Sequence, residues 1–298
     1  MSLRDNRIFF ICLIAATLAV FSVARADSMN TASVPAEDAM PSVSTPSNGT
    51  TAADSKSGMS EFMSHMNVTY FGIFHGPSVS NIDSNTVDTK TGKESKTTMY
   101  MDSEVTLPYT INESVSVAPV IPFLLNVARG EAATLGDLGF KITDRKTIST
   151  SNFNLYTNLI IQAPTSDYSK NRGMNAGLKT TPNFRYIFQG TRFSVGSWSE
   201  AKAYLGVTSG KTFKLYAAPY ANYQITHKFS LNLEYEMEAD HMVNTTATKF
   251  GMVQNDVMPG FIYMITPTVM LNPYLQVFTA QNVDSDHMAL GAVLSASL

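Results

Sequence analysis

From Phe229 to Asp240 the chain alternates without a slip. Phe229, Leu231, Leu233, Tyr235, Met237 and Ala239 take one parity; Ser230, Asn232, Glu234, Glu236, Glu238 and Asp240 take the other. Successive side chains of an extended strand point to opposite faces, so the segment reads as a strand with one dry face and one wet face. Phe153–Gln162 and Phe213–Ile225 alternate in the same way. A dry face of this length needs an apolar surface against it, and a run of such strands must share it.

Reading by alternation from residue 67 onward predicts strands near 67–78, 97–111, 115–127, 136–148, 152–163, 174–188, 193–206, 213–225, 229–240, 256–265, 269–280 and 288–298. Each is close to the roughly ten residues of a tilted membrane-crossing strand. The connections alternate. Short turns are expected at Asn112–Ser114, Ser149–Ser151, Gln189–Arg192, Thr226–Lys228 and Thr266–Thr268. Longer loops are expected at 79–97, 128–135, 164–173, 207–212, 241–255 and 281–287. Short turns on one side and long loops on the other, with aromatic residues (Tyr109, Phe153, Tyr186, Phe188, Phe193, Tyr223, Phe229) beside the turns, are the pattern of a barrel set in a membrane. The expected fold is therefore all-β, a closed antiparallel transmembrane β-barrel of about 12 strands, with 10 or 14 as the alternatives. Pro108, Pro119, Pro122, Pro182, Pro219, Pro259 and Pro273 fall inside these segments. Proline ordinarily keeps to edges and bulges, so these residues count against central strands.

Ahead of the barrel, residues 1–26 read as a secretory signal peptide. Arg4 and Arg7 precede the uncharged apolar run Ile8–Val23, and Ala24-Arg25-Ala26 is an A-x-A site with cleavage after Ala26. Residues 27–58 are Ser-, Thr-, Ala-, Pro- and Asp-rich and lack the apolar content to fold, so a disordered leader is expected over 27–66. Its end carries Met59, Phe62, Met63 and Met66 at one-face helical spacing, a possible short helix or plug. The folded domain is then 67–298.

The only cysteine, Cys12, lies in the leader, which excludes disulfides and thiol chemistry from the mature chain. Removing Arg4, Arg7, Arg25 and Asp5 leaves 18 basic and 23 acidic residues. That balance gives no support for a nucleic-acid partner. Charged residues make up 15% of the chain against about 25% in a typical soluble domain, as expected when much of the outside faces lipid.

By parity, the inward charged set is Asp102, Glu104, Lys141, Lys179, Arg185, Glu200, Lys202, Lys214, Glu234, Glu236 and Glu238, expected to line a pore and to pair across strands. The inward apolar set is Met258, Ile262, Met264, Met270 and Phe278, an adaptable surface for hydrophobic solutes or for a plug. Asp240-His241 and Asp286-His287, near the expected loop-side rim, are the places where a general base or a metal would be sought. No nucleotide-binding, zinc-protease or serine-hydrolase motif occurs in the mature chain, and no cofactor or metal is implied.

The cleavable leader, the alternating strands and Gly136-Asp137-Leu138-Gly139-Phe140 together resemble Gram-negative outer-membrane porin-like barrels. They are similar in particular to the outer-membrane transporter family of aromatic-degradation operons. The resemblance implies a cell outer-membrane location and passive passage of small solutes, with apolar or aromatic ones among the candidates. The partners it implies are outer-membrane lipid, lipopolysaccharide and the barrel-assembly machinery. The family ends in an aromatic residue, whereas this chain ends Ala296-Ser297-Leu298. A structural or adhesive barrel with a blocked lumen and an outer-membrane hydrolase are the alternative functions.

Overall fold

A computed structural model describes residues 63–80, 86–87, 94–95, 99–126, 133–243, 248–279 and 285–297. The expected signal peptide, and all but the last four residues of the 27–66 segment, lie outside the described residues. Twelve long strands follow one another: β1 (Thr69–Ser78), β2 (Tyr100–Thr106), β3 (Val115–Asn126), β4 (Gly139–Ser149), β5 (Phe153–Gln162), β6 (Ala176–Ile187), β7 (Phe193–Leu205), β8 (Gly210–Gln224), β9 (Phe229–Val243), β10 (Thr248–Thr266), β11 (Val269–Phe278) and β12 (Met288–Ser297). Each pairs antiparallel with its chain neighbours, and β12 pairs back onto β1 from Thr69↔Ser297 to Ser78↔Ala289. The sheet is thus a closed barrel of twelve strands. Closure removes the edge that would leave backbone N–H and C=O groups unpaired in hydrocarbon. A two-residue ladder between Thr86–Val87 and Glu94–Ser95 adds a small extension above β1.

The outer surface is apolar. Leu231 and Leu233 are 48% and 51% exposed, and Phe140, Ile161 and Ile265 are exposed to a similar degree, which suits hydrocarbon and not water. Aromatic side chains gather beside the turns. Phe188 lies 5.3 Å from Phe193 and 5.0 Å from Tyr186, and Phe229 lies 5.3 Å from Phe261. Among the described residues no helix is long and apolar enough to cross a membrane.

The turns form where side-chain oxygens can replace ladder bonds. Asn112 Oδ1 accepts from the backbone N–H groups of Ser114 and Val115, and the Thr150 and Thr226 hydroxyls accept from those of Phe153 and Phe229. Gly190 takes the left-handed conformation at φ 69°, which lets the β6–β7 turn close.

Six of these seven prolines sit inside the strands after all; Pro108 falls in the break that follows β2. Each residue of a ladder serves only one neighbour with its N–H, so a proline weakens pairing on one side. Pairing of β6 with β7 lapses between Thr180 and Phe184 around Pro182, while Pro182 stays opposite Thr157 on β5. The β8–β9 ladder lapses likewise at Pro219 and the β10–β11 ladder at Pro259, and both prolines keep their register on the other side.

Two expected boundaries are corrected. The long loop at 241–255 does not exist: β9 runs to Val243 and β10 starts at Thr248. A bulge at Glu238/Ala239 shifts the parity there, which hides the two-residue period. At 19 residues, β10 also exceeds a membrane crossing, so its upper part needs no unbroken apolar face. The second segment, expected over 97–111, is interrupted at Leu107-Pro108, and Tyr109–Thr110 then pairs separately with Val117 and Ser116.

Gly196 marks a close approach. A Cβ there would run into the Phe184 carbonyl oxygen and the Tyr220 ring. Gly196→Ala is expected to cost about 1–3 kcal/mol, read as a lower urea midpoint for the loss of the folded, heat-modifiable band on a gel.

Candidate functional site

Residues directly opposite in the ladders share a face, and so do residues two apart along a strand. Lys179 opposes Lys202, Lys202 opposes Lys214, and Lys214 opposes Asp240. Glu234 opposes Met258, Asp256 opposes Phe278, and Met264 opposes Met270. Followed round the barrel, this register puts Asp102, Glu104, Lys141, Lys179, Arg185, Glu200, Lys202, Lys214, Glu234, Glu236 and Glu238 on one face, together with Met258, Ile262, Met264, Met270 and Phe278. Leu231, Leu233 and Tyr235 take the other face, which places the charged set on the inside.

The inner charges form a belt towards the loop-side end. Glu200 lies 3.5 Å from Lys179 and 3.7 Å from Lys214, and Lys214 reaches Glu238 at 2.9 Å. Lys211 bridges Glu238 at 3.0 Å and Asp240 at 2.6 Å, and across the lumen wall Lys141 pairs with Glu104 at 3.3 Å. Glu238 and Asp240 are buried, and alternating charge along the belt offsets the desolvation that each would suffer alone. The expected cross-strand pairing therefore occurs, but it stops at Glu238. Glu236 instead accepts hydrogen bonds from the Tyr216 hydroxyl and from Gln254 Nε2 at 2.7 Å. Asp256, fully buried, accepts from Gln254 and Gln276. Nearer the turns, Tyr156, Trp198 and Tyr220 form an inward aromatic row with centroids 6.2 and 5.8 Å apart.

Lys211, Asp256 and this aromatic row were not in the expected site. Lys211 falls in a segment that reads as loop, and a bulge between Lys211 and Phe213 carries its side chain onto the inner face. Asp256 stood at the assumed start of its strand, and only the full length of β10 shows it to be interior.

At the loop-side end the 163–175 connection carries a short helix, α1 (Asp167–Asn171), and its Arg172 reaches β7 and β8. Asp137 of the Gly136–Phe140 run latches it. Asp137 accepts from the Ser166 backbone N–H at 3.0 Å, from the Ser166 hydroxyl at 2.8 Å and from the Ser169 hydroxyl. Arg172 then spans to β8: it donates to the Lys211 carbonyl and to the Tyr168 hydroxyl, and its guanidinium lies 4.9 and 5.3 Å from the ring centroids of Tyr168 and Tyr204. A cavity of about 430 Å³ opens there, lined among others by Tyr168, Arg172, Lys211, Asp240 and Met242.

Asp240 and His241 do not assemble into a catalytic pair, and the Asp286 side chain lies outside the described residues. Asp240 turns inward to Lys211, while His241, next in the strand, points outward, with Nδ1 2.6 Å from the Thr212 hydroxyl. His75 lies 3.3 Å from Asp102. Among the described residues no group of three His, Cys, Asp or Glu side chains is placed to hold a metal. Of the methionine segment, Met59 and Phe62 lie outside the described residues. Met63 is exposed, and Met66 bridges to Tyr109 beside the β2–β3 turn, at the rim and away from Met258.

No protein-family model matches the chain, and no curated protein does. Among solved structures, the COG4313 outer membrane channel from Pseudomonas putida F1 aligns at 13% identity and a TM-score of 0.48, covering 78% of this chain and 96% of that one. The NanC porin aligns at 6% and 0.45, covering 78% and 98%. Salmonella typhi OmpF, in complex with daunomycin, aligns at 7% and 0.39, covering 78% and 97%. The twelve-stranded barrel rests on this chain's own strand pairing.

Asp137 lies in the loop-side connection, outside the membrane-crossing strands. Burial works to raise its pKa, but the hydrogen bonds from Ser169 and Ser166 and the field of Lys202 outweigh it and hold the carboxyl below its ordinary value. A depressed carboxyl stabilises above the unfolded-state value and loses that effect as pH falls through the folded value. The latch is therefore closed at neutral pH and released only in acid. Asp137→Asn should reproduce the acid state at pH 7, seen as faster hydrogen exchange over Ser166–Gly173 with no change in the strands.

Proposed function

We propose that this chain is an outer-membrane porin-like channel or facilitator through which small solutes pass passively. The observation that carries the reading is the division of the barrel: an apolar outer face, and an inner face that holds the charged belt, a set of buried amides and the hydroxyls of Tyr156, Tyr204, Tyr216, Tyr220 and Tyr274. Charged and polar groups are costly to place inside a membrane, and a closed wall of them is useful where water and solutes move along it. Twelve strands also enclose more room than the eight whose side chains can fill a barrel.

The same reading covers location and partners. The chain would be exported by a leader cleaved after Ala26, inserted by the barrel-assembly machinery, and surrounded by outer-membrane lipid and lipopolysaccharide. The apolar sector of Met258, Ile262, Met264, Met270 and Phe278 lies beside the charged one and suits solutes with an apolar or aromatic part. A barrel with a blocked lumen is the competing reading, favoured by the inward row of Tyr156, Trp198 and Tyr220, which fills space near the turns.

The deciding experiment is a planar-bilayer recording of the full mature chain together with swelling of liposomes in a small neutral sugar. Stepwise conductance and swelling are expected. A folded, heat-modifiable protein that produced neither would establish the blocked barrel.

A further inference from the structure

Lys179, Lys202 and Lys214 stand directly opposite one another on β6, β7 and β8, so three ammonium groups form one row across adjacent strands. Like charges in opposed positions destabilise a sheet. The outer two are relieved: Lys179 by Glu200 at 3.5 Å, and Lys214 by Glu200 at 3.7 Å and Glu238 at 2.9 Å. The middle one is not. Among the described residues Lys202 has no carboxylate within 4.0 Å, and its ammonium rests 4.8 Å from the centroid of the Tyr204 ring.

The carboxylates whose fields reach Lys202 are engaged elsewhere. Glu200 is shared between the two flanking lysines, and the oxygens of Asp137 are held by Ser166 and Ser169. For folding alone, a neutral side chain of similar length at 202 would serve better, since it would keep the packing on Tyr204 and remove the repulsion. The row also lies near the loop-side end of the barrel, three residues from the end of β7, on the side that carries the 163–175 connection. A positive charge held there at a cost to the sheet calls for a negative ligand.

We propose that Lys202, flanked by Lys179 and Lys214, is a docking point for the oxyanion head, carboxylate or phosphate, of a small solute in transit. The inference rests on the channel reading and gives it a solute class. An oxyanion placed over the row accepts hydrogen bonds from Lys202 and a neighbour and supplies the charge that Glu200 cannot divide three ways. Occupancy must be weak for passage to continue, so the site is expected to appear as saturation of conductance and not as tight binding.

The test is conductance of the full mature chain against salt concentration, in potassium acetate and separately in potassium phosphate, for wild type, Lys202→Gln and Lys202→Arg. Conductance should level off in the wild type in at least one of the salts, and the salt in which it does identifies the head group. Lys202→Gln should raise the half-saturating concentration roughly fivefold, near the upper end for a solvent-reachable ion pair. Lys202→Arg should keep it near wild type, and Lys146→Gln, at the exposed turn-side pair with Glu113, should leave it unchanged. Lys202→Gln should also unfold at the same temperature as wild type or higher; a lower transition would mean that the ammonium serves the fold, and would overturn the proposal. Half-saturation unmoved in both salts, with neutral-sugar swelling intact, would overturn the docking point and leave the channel standing. Absence of conductance and swelling in the wild type would remove the channel reading, and this proposal with it.

Discussion

The backbone hydrogen-bond ladder that joins β12 to β1 is the interaction on which the rest depends. In hydrocarbon an unpaired N–H or C=O has no water to turn to, so a sheet crossing a membrane must end where it began. With Ser297 opposite Thr69, the ladder leaves no open edge across the membrane-crossing part of the sheet. Once the ladder is closed, parity does the rest. Every side chain is committed to one of two environments, and a slip of one residue would exchange them along a whole strand. The bulges at Glu238/Ala239 and Lys211/Phe213 are tolerated because they lie towards the loop-side ends, where both faces approach water.

The interior that results is crowded with charge, and its stability comes from how the charges are shared. A lone ammonium or carboxylate at this depth would carry a desolvation cost that one partner only partly offsets. Here Glu200 serves two lysines, Glu238 serves two, and Lys211 serves two carboxylates, so the belt behaves as a chain of partners. The carboxylates beyond the belt are met by neutral donors, Tyr216, Gln254 and Gln276, which attenuate the field on that side of the lumen. The lumen wall is therefore polarised around its circumference, with the lysine row on β6–β8 and the carboxylates on β9–β10.

Much of this was legible in the sequence, and the reason is local. Where alternation is unbroken, as in Phe229–Asp240, the residues themselves state which face is wet, and the ladder agrees with them from Ser230 through Glu238. What was illegible depends on contacts made at a distance or on irregular backbone. The β9–β10 hairpin was hidden by a bulge. Lys211 looked like a loop residue until its own bulge turned it inwards. Asp137 belongs to a short glycine-flanked run that carries no sign of being a latch, because its partners Ser166 and Ser169 come from the next loop-side connection. Arg172 gives no signal either, since its role is defined by a carbonyl on β8. Asp240 and His241 illustrate the opposite error: adjacency in sequence suggested chemistry, and strand parity sends the two side chains to opposite faces.

If the barrel sits in lipid as its two faces imply, the charged parity meets water and the apolar parity meets hydrocarbon. Residues 27–298 contain no cysteine, so single cysteines introduced there report each face directly. Asp102, inward with a side chain 56% exposed, and Leu233, outward and 51% exposed, are the most informative pair. In native membranes a cysteine at 102 should react with a water-soluble maleimide and be spared by a lipid-soluble one, and a cysteine at 233 should do the reverse. Labelling of both positions by the water-soluble reagent, or of 233 alone, would contradict the barrel's orientation in lipid.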